Sequence, residues 1–119
     1  MRTVLIVDDS AAFRTAARAL LEAEQWIVVG ESADGRSALR AIARVRPHVV
    51  LVDIGLPDID GFELAQEIAR SEGKPRVVLC STRPERVIRQ RLAAAPVEGF
   101  IAKDELSGAR LRELLAATG

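Results

Sequence analysis

The chain has 119 residues, 49% of them hydrophobic, enough for one globular domain and too apolar for a disordered chain. Its 17 basic and 17 acidic residues cancel, which removes the basic excess of a nucleic-acid or membrane-surface binder. Aromatics are only 3%, so the core must come from Val, Leu, Ile and Ala, and the single cysteine, Cys80, excludes an internal disulfide. No apolar stretch reaches about 18 residues, and the N-terminus lacks a signal peptide's apolar core. A soluble, cytoplasmic protein without a membrane span is expected.

Strand-like and helix-like segments alternate along the chain. Val4-Leu5-Ile6-Val7 is the first strand. Ser10 can cap the first helix, whose inward face should carry Phe13, Ala16, Ala17, Leu20 and Leu21. Trp26-Ile27-Val28-Val29 is the second strand, closed by Gly30. Asp34-Gly35 opens the second helix, with Ala38, Leu39, Ile42 and Ala43 inward, and Pro47 ends it. Val49-Val50-Leu51-Val52 is the third strand and runs into Asp53. A loop rich in turn residues, Gly55-Leu56-Pro57-Asp58-Ile59-Asp60-Gly61, leads to a third helix presenting Phe62, Ala65, Ile68 and Ala69, which Gly73 and Pro75 stop. Val77 to Cys80 is the fourth strand, followed by Ser81-Thr82. Pro84 suits the first turn of a fourth helix with Val87, Ile88 and Leu92 inward, and Pro96 ends it. Val97 opens a fifth strand that includes Phe100-Ile101-Ala102 and stops at Lys103. Asp104 or Ser107 starts the last helix, with Leu111, Leu114 and Leu115.

Strands alternating with helices predict a parallel α/β sheet, and its short β-branched runs predict strands buried on both faces. Five such units are too few for an eight-stranded barrel. A doubly wound five-stranded parallel sheet of order 2-1-3-4-5, with helices on both faces, is the expected fold, flavodoxin-like. It accounts for residues 1–119 as a single domain, with no repeat and no linker.

In such a sheet ligands bind at the carboxyl ends of the strands, where strands one and three flank the topological switch point. Asp8, Asp9 and Asp53 would meet there, with Ser81-Thr82 and Lys103 arriving from strands four and five. Glu31-Ser32 ends the second strand and is assigned no role. Three carboxylates so close repel, and a divalent cation is the simplest remedy. Metal, hydroxyl and ammonium together suit a phosphoryl group, and Asp53 could be its nucleophilic acceptor.

These residues resemble a known family, the receiver domains of two-component response regulators. The resemblance covers essentially the whole chain. It rests on Val7-Asp8-Asp9-Ser10, on Asp53-Ile54-Gly55-Leu56-Pro57 with Asp60-Gly61 after it, on Ser81-Thr82, and on Gly99-Phe100-Ile101-Ala102-Lys103. It implies that Asp53 accepts a phosphoryl group from the phosphohistidine of a histidine kinase or phosphotransfer protein. Asp9 and Asp53 would bind Mg²⁺ directly, or Mn²⁺ in its place, with the Gly55 carbonyl as a third ligand and Asp8 acting through a water. The Ser81 hydroxyl and the Thr82 N–H would donate to the phosphoryl group, and Lys103 would pair with it. Ser81 and Phe100 would form the switch, the aromatic turning inward as the hydroxyl moves. The domain would be a phosphorylation switch rather than an enzyme. A homodimer through helix 4, strand 5 and helix 5, or through helices 1 and 5, would follow. No direct nucleic-acid contact by this domain is implied.

The chain departs from the family at several positions. Asp104 follows Lys103 where many receivers have proline, and Lys103-Asp104-Glu105-Leu106 is similar to receivers that precede helix-turn-helix output domains. Thr82 stands where a small residue is usual, and Gly55 and Arg83 occupy positions that tune phosphoryl lifetime. Two other functions stand beside the switch. A binding module without phosphorylation would have lost an acid or the lysine, and none is lost. An aspartyl-phosphate phosphatase would need an acid two residues after the nucleophile, where Gly55 stands. Plainer roles are open too: Asp9 or Ser10 as helix caps, Ser81-Thr82 as a hydroxyl turn before Pro84, and Phe100 as core. Cys80 reads as a buried inert thiol, His48 as remote from the acids, Trp26 as packing near a sheet edge, and Arg83, Arg86, Arg89 and Arg91 as a solvated helix face.

Overall fold

The computed structural model describes residues 2–118. In chain order it contains β1 (Thr3–Val7), α1 (Ala11–Glu22), β2 (Ile27–Ser32), α2 (Gly35–Val45), β3 (Val49–Asp53) and α3 (Gly61–Ala69). Then follow β4 (Arg76–Ser81), α4 (Glu85–Ala94), β5 (Gly99–Ala102), a 3-10 turn (Lys103–Glu105) and α5 (Gly108–Thr118). The strands pair in parallel in the order β2-β1-β3-β4-β5, as the alternating pattern predicts.

Side chains alternate between two cores because a strand's period is two residues. Leu5, Val7, Val50, Val52, Val77 and Leu79 face the helices α2, α3 and α4. Val4, Ile6, Val49, Leu51, Val78 and Cys80 face α1 and α5. With both faces covered, every position of β3 is buried and its sequence reads as one apolar run ending in an acid.

Several boundaries and faces differ from the sequence expectation. On α1 the inward stripe is Phe13, Ala17 and Leu21, one side chain per helical turn, while Ala16 is exposed and Leu20 is 44% exposed. β2 begins at Ile27 and runs through Gly30 to Ser32. The register slips between Val4 and Leu5, and Gly30 then lies beside Leu5. A Cβ there would come within 3.1 Å of Leu5 Cδ1, so Gly30 marks a close approach rather than the end of the strand. Trp26 stands just before β2, buried, its indole N–H donating to the Gly108 carbonyl at 3.0 Å.

On α2, Ala41 packs inward and Ala43 is exposed. Pro84 is the N-cap of α4 rather than its first helical residue. Val87 is exposed and only Ile88 of α4 is buried, so one turn anchors this helix to the sheet. Val97 precedes β5, and the Ser107 hydroxyl, not Asp104, caps α5 by accepting from the Arg110 N–H at 2.9 Å. Asp104 belongs to the 3-10 turn.

Candidate functional site

Parallel pairing of β1 with β3 sets Val7 beside Val52, so the residues that follow emerge together at one edge. Carboxylate atoms of Asp8, Asp9 and Asp53 lie within 4.8 Å of one another. Asp8 and Asp53 are buried and Asp9 is exposed. Next to them, β4 pairs Cys80 with Asp53, and Ser81 pairs with Ala102 of β5, the residue before Lys103. The sheet register therefore brings together the acids, Ser81 and Lys103, which are far apart in sequence.

Lys103 Nζ lies 2.7 Å from Asp8 Oδ2 and 3.5 Å from Asp53 Oδ1. Burial works against the ammonium, but the two carboxylates outweigh it and hold its pKa above the usual lysine value. For Asp53, burial followed by the charge of Asp8 raises the pKa, against the pull of Lys103. One ammonium thus fails to offset the acids around it. Asp8 Oδ1 accepts from the Ser10 N–H at 2.9 Å, whereas the buried Oδ2 has the Lys103 ion pair but no aligned hydrogen bond. A short, partly buried carboxylate cluster with an oxygen lacking a hydrogen bond fits a hard divalent cation, which prefers oxygen ligands. Asp8, Asp9 and Asp53 are the side chains that could hold it.

The surroundings fix these groups in place. The Asp8 N–H donates to the Ser32 carbonyl at 2.9 Å, and Arg14 Nη1 donates to the Asp8 carbonyl at 2.6 Å. Arg14 and Arg18 both pair with Glu31, tying α1 to the end of β2. Lys103 Nζ also sits 4.5 Å from the centroid of the Phe13 ring, so α1 supplies the ammonium with an aromatic face. Asp58 accepts from the Gly35 and Arg36 N–H groups at 2.8 and 2.9 Å, which anchors the loop after Asp53 to the start of α2. Phe13, Arg14, Glu31 and Asp58 were not among the site residues expected from sequence. Phe13 and Arg14 carried one available signal, being helical positions one turn beyond Asp9 and facing back over the strand ends.

The remaining expected residues fall as follows. Ser81 is buried, and its hydroxyl accepts from the Arg83 N–H at 3.1 Å, the hydroxyl turn weighed above. Thr82 and Gly55 are exposed at the same edge. Phe100 is buried and points into the core with Ile88 and Leu79. Arg91 departs from the solvated arginine run of α4: it pairs with Asp60 at 2.8 Å and stacks 4.2 Å from the Phe62 ring centroid. His48 lies at the opposite end of the sheet, its Nδ1 near the Thr3 N–H at 3.2 Å. Cys80 is buried, and burial pushes its thiol up to about 12, so it stays protonated and unreactive.

Burial of Asp53, with the charge of Asp8 beside it, has a consequence for stability. Its folded pKa lies above the unfolded value, so folding favours the protonated acid. That contribution is full below the unfolded pKa, about 3.9, and is lost as pH rises through the folded pKa. In chelator at neutral pH, Asp53→Asn should therefore be more stable than the parent. The gap should shrink toward pH 4. Thermal melts of both proteins across this range check it, and a constant or reversed gap contradicts the electrostatic reading.

Comparison with known proteins agrees with this geometry. A sequence profile described as the response regulator receiver domain matches residues 4–116, and the chain belongs to that family. A Pseudomonas aeruginosa protein described as a transcriptional regulator is 34% identical over 117 residues, covering 98% of this chain and 55% of the relative. BvgA from Bordetella pertussis is 35% identical over 103 residues, covering 86% of this chain and 49% of the relative. The chain thus spans about half the length of these curated relatives. The signal receiver domain of NarL from Mycobacterium tuberculosis superposes with a TM-score of 0.84 at 31% identity, covering 98% of this chain and 95% of that one. The chain is therefore a receiver domain of two-component signalling, a phosphorylation-controlled switch with the flavodoxin-like fold. Among the described residues no helix is long and apolar enough to cross a membrane.

Proposed function

We infer that Asp53 is the phosphoacceptor of this receiver and that residues 1–119 act as one switching domain. The observation that carries the reading is the meeting of Asp8, Asp9, Asp53 and Lys103 at one strand edge. A carboxylate oxygen of Asp53 attacks the phosphorus of a phosphohistidine on a histidine kinase or phosphotransfer protein. The P–N bond breaks, the imidazole leaves, and an aspartyl phosphate remains. Asp9, Asp53 and the Gly55 carbonyl, with Asp8 behind a water, would hold Mg²⁺ or Mn²⁺, which would supply positive charge beside the phosphoryl oxygens. Lys103 is already charged and beside Asp53, so it pairs with a phosphoryl oxygen without being moved far.

Ser81 leaves its bond with the Arg83 N–H to donate to the phosphoryl group, and the Thr82 N–H donates beside it. That exchange moves the chain leading into α4, which only Ile88 anchors firmly. Phosphorylation shifts the conformational balance through these differential contacts. Phe100 follows Ser81, with its inward position favoured in the phosphorylated state. The output is the face of α4, β5 and α5, through which copies pair, with α1 and α5 as the second pairing face. The domain works in the cytoplasm, catalyses no reaction on other substrates and contacts no nucleic acid itself.

Intact-mass measurement with a small acyl phosphate tests the assignment. One added phosphoryl group is expected with Mg²⁺, and none in chelator or in Asp53→Asn. An adduct that persists in Asp53→Asn moves the acceptor elsewhere. No adduct under any condition favours a module that binds without phosphorylation.

A further inference from the structure

The sheet edge opposite the acids carries a second concave site. A cavity of about 330 Å³ opens where β1, β3 and β4 begin and α5 ends. Its wall is apolar, built from Trp26, Val49 and Leu115. Arg2, Arg76 and Arg112 line it as well, with His48 beside them. Three cations converging at one cavity are unexpected in a chain whose 17 basic and 17 acidic residues cancel.

Their hydrogen-bonding capacity is unequally spent. Arg76 is engaged by Glu98 at 2.6 Å, by the Leu115 carbonyl at 2.8 Å and by the Thr118 hydroxyl at 3.0 Å. Arg112 makes one bond, to the Glu24 carbonyl at 3.2 Å, and the Glu24 carboxylate is taken by the Gly108 N–H. Arg2 lies 5.9 Å from the Trp26 ring centroid. Among the described residues neither Arg2 nor Arg112 meets a carboxylate. Nδ1 of His48 accepts from the Thr3 N–H, which leaves the ring proton on Nε2 as a further donor. Trp26 has spent its own N–H on Gly108, so toward the cavity the indole offers only apolar surface.

We propose that this cavity binds a small aromatic carboxylate. The anionic head pairs with Arg2 and Arg112, whose planar forks suit a carboxylate's two oxygens. The ring lies along Trp26, Val49 and Leu115. A bare anion would leave that apolar wall uncovered, and a neutral ring would leave both guanidinium groups without a counter-charge. The cavity is at the small end of ligand sites, which run from about 300 to 1,000 Å³, so a single-ring acid fits it better than a nucleotide. The site is independent of the Asp53 reading, standing at the other end of the same strands.

Trp26 is the only tryptophan, so its indole N–H gives a single resonance inside the cavity wall. The ¹⁵N-labelled chain is titrated at low salt with benzoate, with benzamide and with inorganic phosphate. Benzoate should shift the Trp26 indole and the His48 and Leu115 amides saturably, with benzamide and phosphate each at least about tenfold weaker. Arg112→Gln and Arg2→Gln should each weaken benzoate about fivefold or more, with the rest of the spectrum and the mass gain at Asp53 unchanged. Equal binding of benzamide would remove the need for charge, and equal binding of phosphate would remove the need for the ring. Shifts scattered away from the cavity, or folded arginine variants with parental affinity, would place the binding elsewhere. Each of these overturns the proposal.

Discussion

Replacing Lys103 with methionine is expected to slow acyl-phosphate modification of Asp53 by about 10²–10³-fold, the usual loss when one preorganised charge partner is removed. Methionine keeps most of the apolar stem and deletes the ammonium, which sits over the Phe13 ring. Two effects then add. The phosphoryl group loses the charge 3.5 Å from Asp53 Oδ1, and Asp53 keeps the raising influences of burial and Asp8 without the lysine that opposed them. Without metal, its carboxylate is then held less firmly in the charged form. Lys103→Arg should not restore the rate, because the bulkier planar guanidinium cannot take the place of a compact ammonium 2.7 Å from Asp8 Oδ2 and 3.5 Å from Asp53 Oδ1. The folded protein should suffer as well. Breaking a buried pair by removing one partner costs about 3–5 kcal/mol, and the partial exposure of Lys103 and the option of protonating Asp53 put this case below that range. Mg²⁺ should recover much of the lost stability without recovering the rate. Time-resolved intact mass beside thermal melts reads both, and a parental rate in a folded Lys103→Met protein would remove the lysine from the chemistry.

The meeting of Asp8, Asp9, Asp53 and Lys103 was legible because each stands at or just beyond the end of a strand that is itself legible. β3 is apolar at every position before Asp53, so its end could be placed without knowing its neighbours. The sheet order then brought Asp8, Asp9 and Lys103 to the same edge. What sequence could not supply was which side of a helix faces in. Phe13, Ala16, Ala17, Leu20 and Leu21 all fit a helical spacing, but the stripe that packs is narrower, since α1 covers a sheet edge rather than its centre. β2 is an edge strand with one partner, so its pattern is weaker, and Gly30 resembled a terminator. The contacts that hold the site rigid are long-range: Asp58 with Gly35 and Arg36, Arg91 with Asp60, Lys103 over Phe13. None leaves a local signature, because each depends on two loops or helices being brought together by the sheet.

Gly61 shows how tightly that arrangement is held, and Gly61→Ala should be among the most damaging single-methyl additions in the chain. A Cβ there would lie 2.7 Å from the Asp53 carbonyl oxygen and 2.9 Å from Ile54 Cα, both backbone atoms of the segment that carries the Asp53 carboxylate. The Gly61 N–H also donates to the Ile54 carbonyl at 2.8 Å, so α3 cannot withdraw without losing that bond. At an ordinary helix position alanine would gain up to about 1 kcal/mol over glycine. Here overpacking, about 1–3 kcal/mol and sometimes more, outweighs that gain. A net loss of about 2 kcal/mol is expected, and a fall in melting temperature of roughly 8 °C with it. Gly55→Ala is the control: its added methyl would meet only Asp53 Oδ2, at 3.8 Å, an ordinary contact. That variant should melt within about 2 °C of the parent although it stands closer to the chemistry. Relief of the Gly61 clash must come from the Asp53–Ile54 backbone or from α3, so slower phosphorylation should accompany the lost stability. A Gly61→Ala protein as stable and as reactive as the parent would mean that α3 is free to slide, and that Asp53 is held from the sheet side alone.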